Sequence, residues 1–198
     1  TTLNGEGLQH EDGHSLVLSG LIPNCVSYDP TFSFEIAVIM QDGMRRMFKE
    51  QEDVFYYITV MNENYEHPEM PAGAEGDILK GMYLLRRGQS SDTNPAAPRV
   101  QLLGSGTIFR EVIAAADLLK SDWGVDADLW GCPSFTELAR DGNDVQRWNL
   151  LNPTAKPKRS HVEACLGDTR GPIIAATDYV RMFAEQIRPF LDRRYVVL

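Results

Sequence analysis

Hydrophobic and polar positions along the chain follow two periods. Runs of β-branched, aliphatic and aromatic residues at Asn24–Tyr28, Val54–Met61, Gly81–Arg86, Val100–Leu103, Asp126–Gly131, Ile173–Thr177 and Tyr195–Leu198 predict strands. Between them apolar residues recur at helical spacing. Phe32, Ile36, Ile39, Met40, Gly43 and Met47 predict a helix over about Thr31–Phe48, opened by Asp29 as N-cap and Pro30 at the first helical position. Ile108, Val112, Ala115, Ala116 and Leu119 predict a second, capped by Ser105 and ended by Gly124. Ser134-Phe135-Thr136-Glu137 has the form of a capping box opening a short helix that stops near Gly142. Asp144–Leu151 predicts another short helix, halted by Pro153. Thr154–Arg170 is polar and predicts irregular structure, and Val180, Phe183, Ala184, Ile187 and Phe190 mark an amphipathic helix.

Strands alternating with helices make an α/β fold. Asn24–Met61 reads as a partial parallel-sheet β-α-β unit with a right-handed crossover. Glu66–Gly76, with Pro68, Pro71, Gly73 and Gly76, reads as a linker, and Gly88–Pro98 as an exposed loop. The alternation resumes at Arg99 and continues to the last residue. A β-α-β unit of roughly 65 residues buries both strand faces with difficulty. A strand ending at Leu198 without a closing helix, and a lone unit before the linker, are expected of a truncated chain. No internal repeat supplies the missing layers.

Composition narrows the class. The 198 residues are 43% hydrophobic and carry a formal net charge of −9, as expected of a soluble acidic globular protein. That charge argues against nucleic acid or an anionic membrane as partner. No apolar run approaches the roughly 18 residues of a membrane span. Cys25, Cys132 and Cys165 are far apart and form no C-x-x-C pair, which disfavours a disulfide scaffold or zinc ribbon and fits a reducing cytoplasmic setting.

The chemistry is concentrated in Thr1–Ser15, which holds Glu6, Gln9, His10, Glu11 and His14. His10-Glu11-Asp12-Gly13-His14 satisfies H-E-x-x-H, the zinc-peptidase pattern. Asp12-Gly13 is a turn dipeptide, so the helix that pattern requires is not expected here. Glu11, Asp12 and His14 are expected to order the loop through side-chain to backbone bonds. Gly104-Ser105-Gly106 follows a strand and opens a helix, but it lacks the full glycine pattern and a P-loop lysine, and reads as a tight β-α turn. The charges at Glu137, Arg140, Asp141 and Asp144 read as capping and surface solubility, and Lys156, Lys158 and Arg159 as a solvated loop. Met40, Met44, Met47 and Met61 read as core packing.

TTLNGEGLQHEDGHS from Thr1, IPNCVSYDP from Ile22, YYITVMNENYEHPEMP from Tyr56, VQLLGSGTIFREV from Val100, SFTELARDGNDVQRWN from Ser134 and ATDYVRMFAEQIR from Ala176 together resemble the homodimeric bacterial type of pyruvate dehydrogenase. The resemblance spans nearly the whole chain, but only a late section of that large enzyme. It implies three parts: residues 1–66 as the end of the thiamine-diphosphate-binding middle domain, 67–98 as linker and first strand region, and 99–198 as a truncated transketolase-like C-terminal α/β domain. It implies decarboxylation of pyruvate with thiamine diphosphate and magnesium, and acetyl transfer to a lipoyl-bearing acetyltransferase. It also implies a cytoplasmic homodimer with the active centre between subunits. Glu6 and His10 match the glutamate and histidine lining that centre. Histidine titrates near neutrality and can supply a proton, and a nearby carboxylate can orient its ring.

The family's magnesium motif, Gly-Asp-Gly followed by paired asparagines, is absent: Asp42-Gly43 and Asp141-Gly142 lack the first glycine and the downstream partner. The isolated chain is therefore expected to bind the cofactor weakly or not at all and to be inactive alone. Two alternatives stand beside this reading: a zinc-dependent hydrolase using His10, Glu11 and His14, and a non-catalytic assembly module.

Overall fold

A computed structural model describes Gly7, residues 11–88 and residues 97–198. Two parallel sheets organise the chain. The first pairs β1 (Cys25–Tyr28) with β2 (Phe55–Ile58), Cys25 opposite Phe55 and Tyr28 opposite Ile58. The crossover is α2 (Ser33–Met44), continued by a π turn over Arg45–Lys49. The short α1 (Ser15–Gly20) precedes β1, and α3 (Glu75–Leu79) follows β2. The second sheet has the order β3-β5-β4-β6-β7: Tyr83–Arg86, Asp126–Gly131, Arg99–Gly104, Ile173–Ala176 and Tyr195–Val197. Only β3 is antiparallel, joining the sheet beside β5.

Alternation along the second sheet separates two apolar layers. Val100, Leu102, Ala127 and Leu129 face α4 (Gly106–Trp123) with Phe109, Val112 and Ala116. Leu103, Trp130, Ile173, Ala175, Tyr195 and Val197 face α5 (Phe135–Leu151), α6 (His161–Leu166) and α7 (Met182–Glu185). The first unit enters both layers: Leu16 of α1 joins the α5 side and Phe32 the α4 side. Where the pleat buries Gln101 and Asp128 in the second sheet, they pair. Asp128 accepts from Arg99 Nη1 at 2.8 Å, Gly88 N at 2.8 Å and Gln101 Nε2 at 2.9 Å, and Gln101 Oε1 accepts from Trp130 Nε1 at 2.8 Å. A buried carboxylate is tolerated there because its lone pairs are filled by one cation and two amides.

Several elements differ from the sequence expectation, each for a local reason. The first long helix starts at Ser33, not at Asp29-Pro30. Glu35 reaches back to the Thr31 and Phe32 amides at 2.6 Å each, so the cap is supplied from inside the helix. The two helices expected around Gly142 are one. Gly142 lies inside this helix, and it is glycine there for packing: a Cβ would stand 2.4 Å from the Phe190 ring. Thr154–Arg170 is not wholly irregular: Ser160 and Glu163 form a capping box that opens α6. The helix read over 180–190 is broken into α7 and a 3-10 turn at Arg188–Phe190, where Pro189 cannot donate. Ala115 faces solvent and Phe109 takes the buried position instead. Met40 and Met44 are 51% and 52% exposed on the outer face of α2, not core.

The cap predicted at Ser134 is present and also joins the units. Its Oγ accepts from Glu137 N at 3.0 Å and donates to the Ser27 carbonyl at 2.7 Å. Ser134→Ala is expected to lower stability by about 1–2 kcal/mol, since it removes a helix cap and a buried bond together. A denaturant midpoint unchanged from the parent would contradict this.

Candidate active-centre crevice

Strand order in the second sheet reverses at β4: α4 leads to β5 on one side, and the later crossover leads to β6 on the other. In open α/β sheets, the crevice beyond the carboxyl ends at such a reversal is the usual ligand position. Here the carboxyl ends of β4 and β6 are Gly104-Ser105-Gly106 and Thr177-Asp178-Tyr179. The first unit is inserted against them.

Asp29, one residue beyond β1, is the centre of that junction and is 5% exposed. Its Oδ1 accepts from Thr59 Oγ1 at 2.6 Å, at the end of β2, and its Oδ2 from Ser105 Oγ at 2.7 Å, at the end of β4. Its N–H donates to the Pro133 carbonyl beyond β5 at 2.6 Å, and its carbonyl accepts from Gly106 N at 3.0 Å. Thr31 Oγ1 donates to the Gly106 carbonyl at 2.9 Å. Four strand ends therefore meet on one residue. Burial pushes the Asp29 carboxyl up to about 6, against the two hydroxyl bonds that favour its charged form. Nearby Glu35, buried with one carboxylate oxygen accepting from two backbone amides, is pushed up to about 7 by the same cause.

Gly104-Ser105-Gly106 is the tight β-α turn expected from its sequence, and its geometry has a reason. Gly106 has φ +50, and a Cβ there would lie 2.5 Å from both Asp29 carboxylate oxygens. The N-terminus of α4, where an anion would otherwise bind, thus holds an internal carboxylate. The described residues therefore do not fit a diphosphate at this turn, and among them no group of three or more His, Cys, Asp or Glu converges for a metal ion.

Glu6 and His10 lie outside the described residues. Of their neighbours, Glu11 is exposed and Asp12 orders the turn. Asp12 Oδ1 accepts from His14 N at 3.0 Å and Ser15 N at 2.9 Å, so it heads α1. Partial burial raises the Asp12 carboxyl, but bonds from Ser15 and His14 outweigh it and leave it below the usual carboxylate range. Residues 11–14 are not helical and α1 begins only at Ser15. His14 therefore precedes the helix and does not occupy the face a zinc pair requires. Gly13 is tied to the crevice: its carbonyl accepts from Val180 N at 3.0 Å.

Asp29, Thr59, Ser105 and Arg140 do not stand out in the sequence as functional positions. A carboxylate directly after a predicted strand of a parallel sheet was the available signal for Asp29. Arg140, read as a surface charge, clamps the connection between α1 and β1. Its guanidinium donates to the Cys25 and Ile22 carbonyls at 2.9 Å each and pairs with Glu137 at 2.7 Å. Among the described residues, no helix is long and apolar enough to cross a membrane.

Residues 1–68 match the family model of the pyruvate dehydrogenase E1 component middle domain, and residues 81–197 that of the transketolase-like TK C-terminal domain. The pyruvate dehydrogenase E1 component of Cupriavidus necator is 74% identical over 198 residues, all of this chain and 22% of the relative. That of Pseudomonas aeruginosa is 61% identical over 199 residues, covering all of this chain and 22% of the relative. That of Escherichia coli K12 is 53% identical over 192 residues, covering 96% and 21%. The chain thus spans about a fifth of the length of these relatives. Among solved structures, transketolase from Campylobacter jejuni superposes with a TM-score of 0.59 at 16% identity, covering 96% of this chain and 24% of that one. A split gene transketolase, described as an inactive beta4 tetramer, gives 0.52 at 14% identity over 95% of this chain and 52% of that one. These two establish the fold. Neither the zinc-hydrolase nor the assembly-module alternative finds support among these matches. The chain belongs to the transketolase-like C-terminal domain family, carried behind a stretch of pyruvate dehydrogenase E1 middle domain.

Proposed function

We propose that this chain acts as part of a pyruvate dehydrogenase E1 component, which decarboxylates pyruvate and passes the acetyl group to the lipoyl-bearing acetyltransferase of its complex. Residues 1–66 serve as the end of the middle domain, 67–98 as linker and first strand, and 99–198 as the C-terminal domain. The working enzyme is a cytoplasmic homodimer using thiamine diphosphate and magnesium. The cofactor supplies the carbanion chemistry, and the groups that hold it lie outside the described residues. Within this chain, His10 donates a proton or hydrogen bond to oxygen that gains charge during the reaction, and Glu6 orients the imidazole.

The observation that supports this placement is the tie between Gly13 and Val180. Gly13, three positions after His10 in the sequence, is held beyond the carboxyl end of β6, on the side of the sheet where such folds bind ligands. In the full-length enzyme, His10→Ala is expected to lower kcat for pyruvate about 10²-fold, with cofactor affinity changed less than about threefold. A kcat within twofold of the parent would remove His10 from the reaction.

A further inference from the structure

Beyond β2, four side chains fasten the chain to the amino ends of α2 and α4. Arg110, early in α4, donates to Glu63 at 2.5 Å and lies over the Tyr65 ring, 4.4 Å from its centroid. The Tyr65 hydroxyl donates to the Thr31 carbonyl, just ahead of α2. The Tyr65 and His67 rings lie 4.5 Å apart at their centroids, and the Phe32 ring meets His67 edge-on at 6.2 Å. The N–H of Ser33, the first residue of α2, donates to His67 Nδ1 at 3.1 Å. Residues 63–67 thus tie together the helix starts that follow β1 and β4, on the carboxyl side of the two sheets.

The bond from Ser33 fixes the state of the His67 ring. A backbone N–H can only donate, so Nδ1 carries a lone pair and the proton of the neutral ring sits on Nε2. An imidazolium carries hydrogen on both nitrogens and has no acceptor to offer. A proton added to His67 therefore breaks the bond to Ser33. It also sets a positive charge against the amino end of a 12-residue helix, which disfavours cations. The ties at Thr31 and Arg110 involve no imidazole, so the release is confined to the α2 end. His67 is exposed, and solvent can deliver that proton.

Histidine in general changes charge between pH 5 and 8. The charged groups flanking His67 are Glu66 and Glu69 beside it in sequence, Glu63 paired with Arg110, and Glu35 in the first turn of α2. The carboxylates favour a proton on the ring, whereas Arg110 and the amino end of α2 oppose it. Glu35 is itself pushed up to about 7 by burial, so two groups at one helix end titrate over a shared range.

We propose that residues 63–67 form a pH-sensitive strap: a neutral His67 holds it to the first turn of α2, and a protonated His67 releases it. The strap depends on no step of the reaction proposed above.

Hydrogen exchange in the full-length enzyme at pH 7.5 and 5.5, corrected for the intrinsic pH dependence of exchange, tests this. In the parent, the Ser33 amide is expected to lose protection about five- to tenfold at pH 5.5, as one hydrogen bond is given up. His67→Asn places an uncharged acceptor near the position of Nδ1 and is expected to keep the amide protected at both pH values. His67→Phe keeps a ring without an acceptor and is expected to leave the amide in fast exchange at both. Glu35→Gln leaves the strap's own contacts in place and is expected to show the parent's change. Equal protection of the parent at the two pH values overturns the proposal. So does a change that persists in His67→Asn, or one that vanishes in Glu35→Gln, which would assign it to the carboxyl group.

Discussion

Gly106→Ala is expected to cost on the order of 5 kcal/mol of stability and to open the junction between the two sheets. Two effects add. At φ +50 a residue with a Cβ loses roughly 1–2 kcal/mol. The new methyl would also stand 2.5 Å from both oxygens of Asp29. The carboxylate must then leave the hydroxyls of Thr59 and Ser105, and hydrogen bonds to a charged group are each worth about 1.5–3 kcal/mol. Gly124→Ala is the matched control. Gly124 has φ +63 at the end of α4, with nothing within 4 Å of the added atom, so only the backbone cost of about 1 kcal/mol applies. Chemical denaturation of the two variants separates the effects. Equal losses would mean that Asp29 contributes nothing to the junction.

Raising the pH from 4 to 8 is expected to destabilise the fold, the reverse of ordinary acid denaturation. Asp29 and Glu35 are pushed up to about 6 and about 7 by burial, from ordinary values of 3.8 and 4.5. Through that window the folded chain keeps protons that the unfolded chain has released, so unfolding is favoured as pH rises. The contribution of each group is complete below its unfolded value and lost once pH exceeds its folded one. Each shift corresponds to roughly 3 kcal/mol. Asp12 titrates in the opposite sense: it is held below 3.8, and its contribution is lost only in stronger acid. Maximum stability is therefore expected near pH 4–5. Asp29→Asn with Glu35→Gln keeps similar shapes and removes both titrations, so its stability should be nearly flat from pH 5 to 8. A double variant with the parent's slope would show that other groups carry the dependence.

Elements were legible where a local rule acted alone. Gly104-Ser105-Gly106 showed itself as a turn because glycine and serine between a strand and a helix leave little choice. The β4-α4-β5 run and the Ser134 cap were equally local. Where two parts of the chain compete for one residue, the local rule failed. Asp29-Pro30 has the form of a helix start, yet Asp29 serves Thr59 and Ser105 while Glu35 caps the helix. Gly142 has the form of a helix end, yet Phe190, distant in sequence, needs the space it leaves. Arg140 has the form of a surface charge, yet it gathers carbonyls from the chain before β1.

The candidate chemistry divides in the same way. Glu6 and His10 stand out in the sequence because two imidazoles and several carboxyl groups in a polar, glycine-rich stretch serve no core. Periodicity and composition likewise suffice for an acidic α/β protein with parallel strands, since burying a strand or a helix face needs apolar residues at the matching spacing. The crevice is different. It exists only because the carboxyl ends of β1, β2, β4 and β5, drawn from positions as far apart as Asp29 and Pro133, meet on one buried residue. Such a meeting depends on strand order and on how one sheet sits against the other, and neither leaves a trace in local spacing.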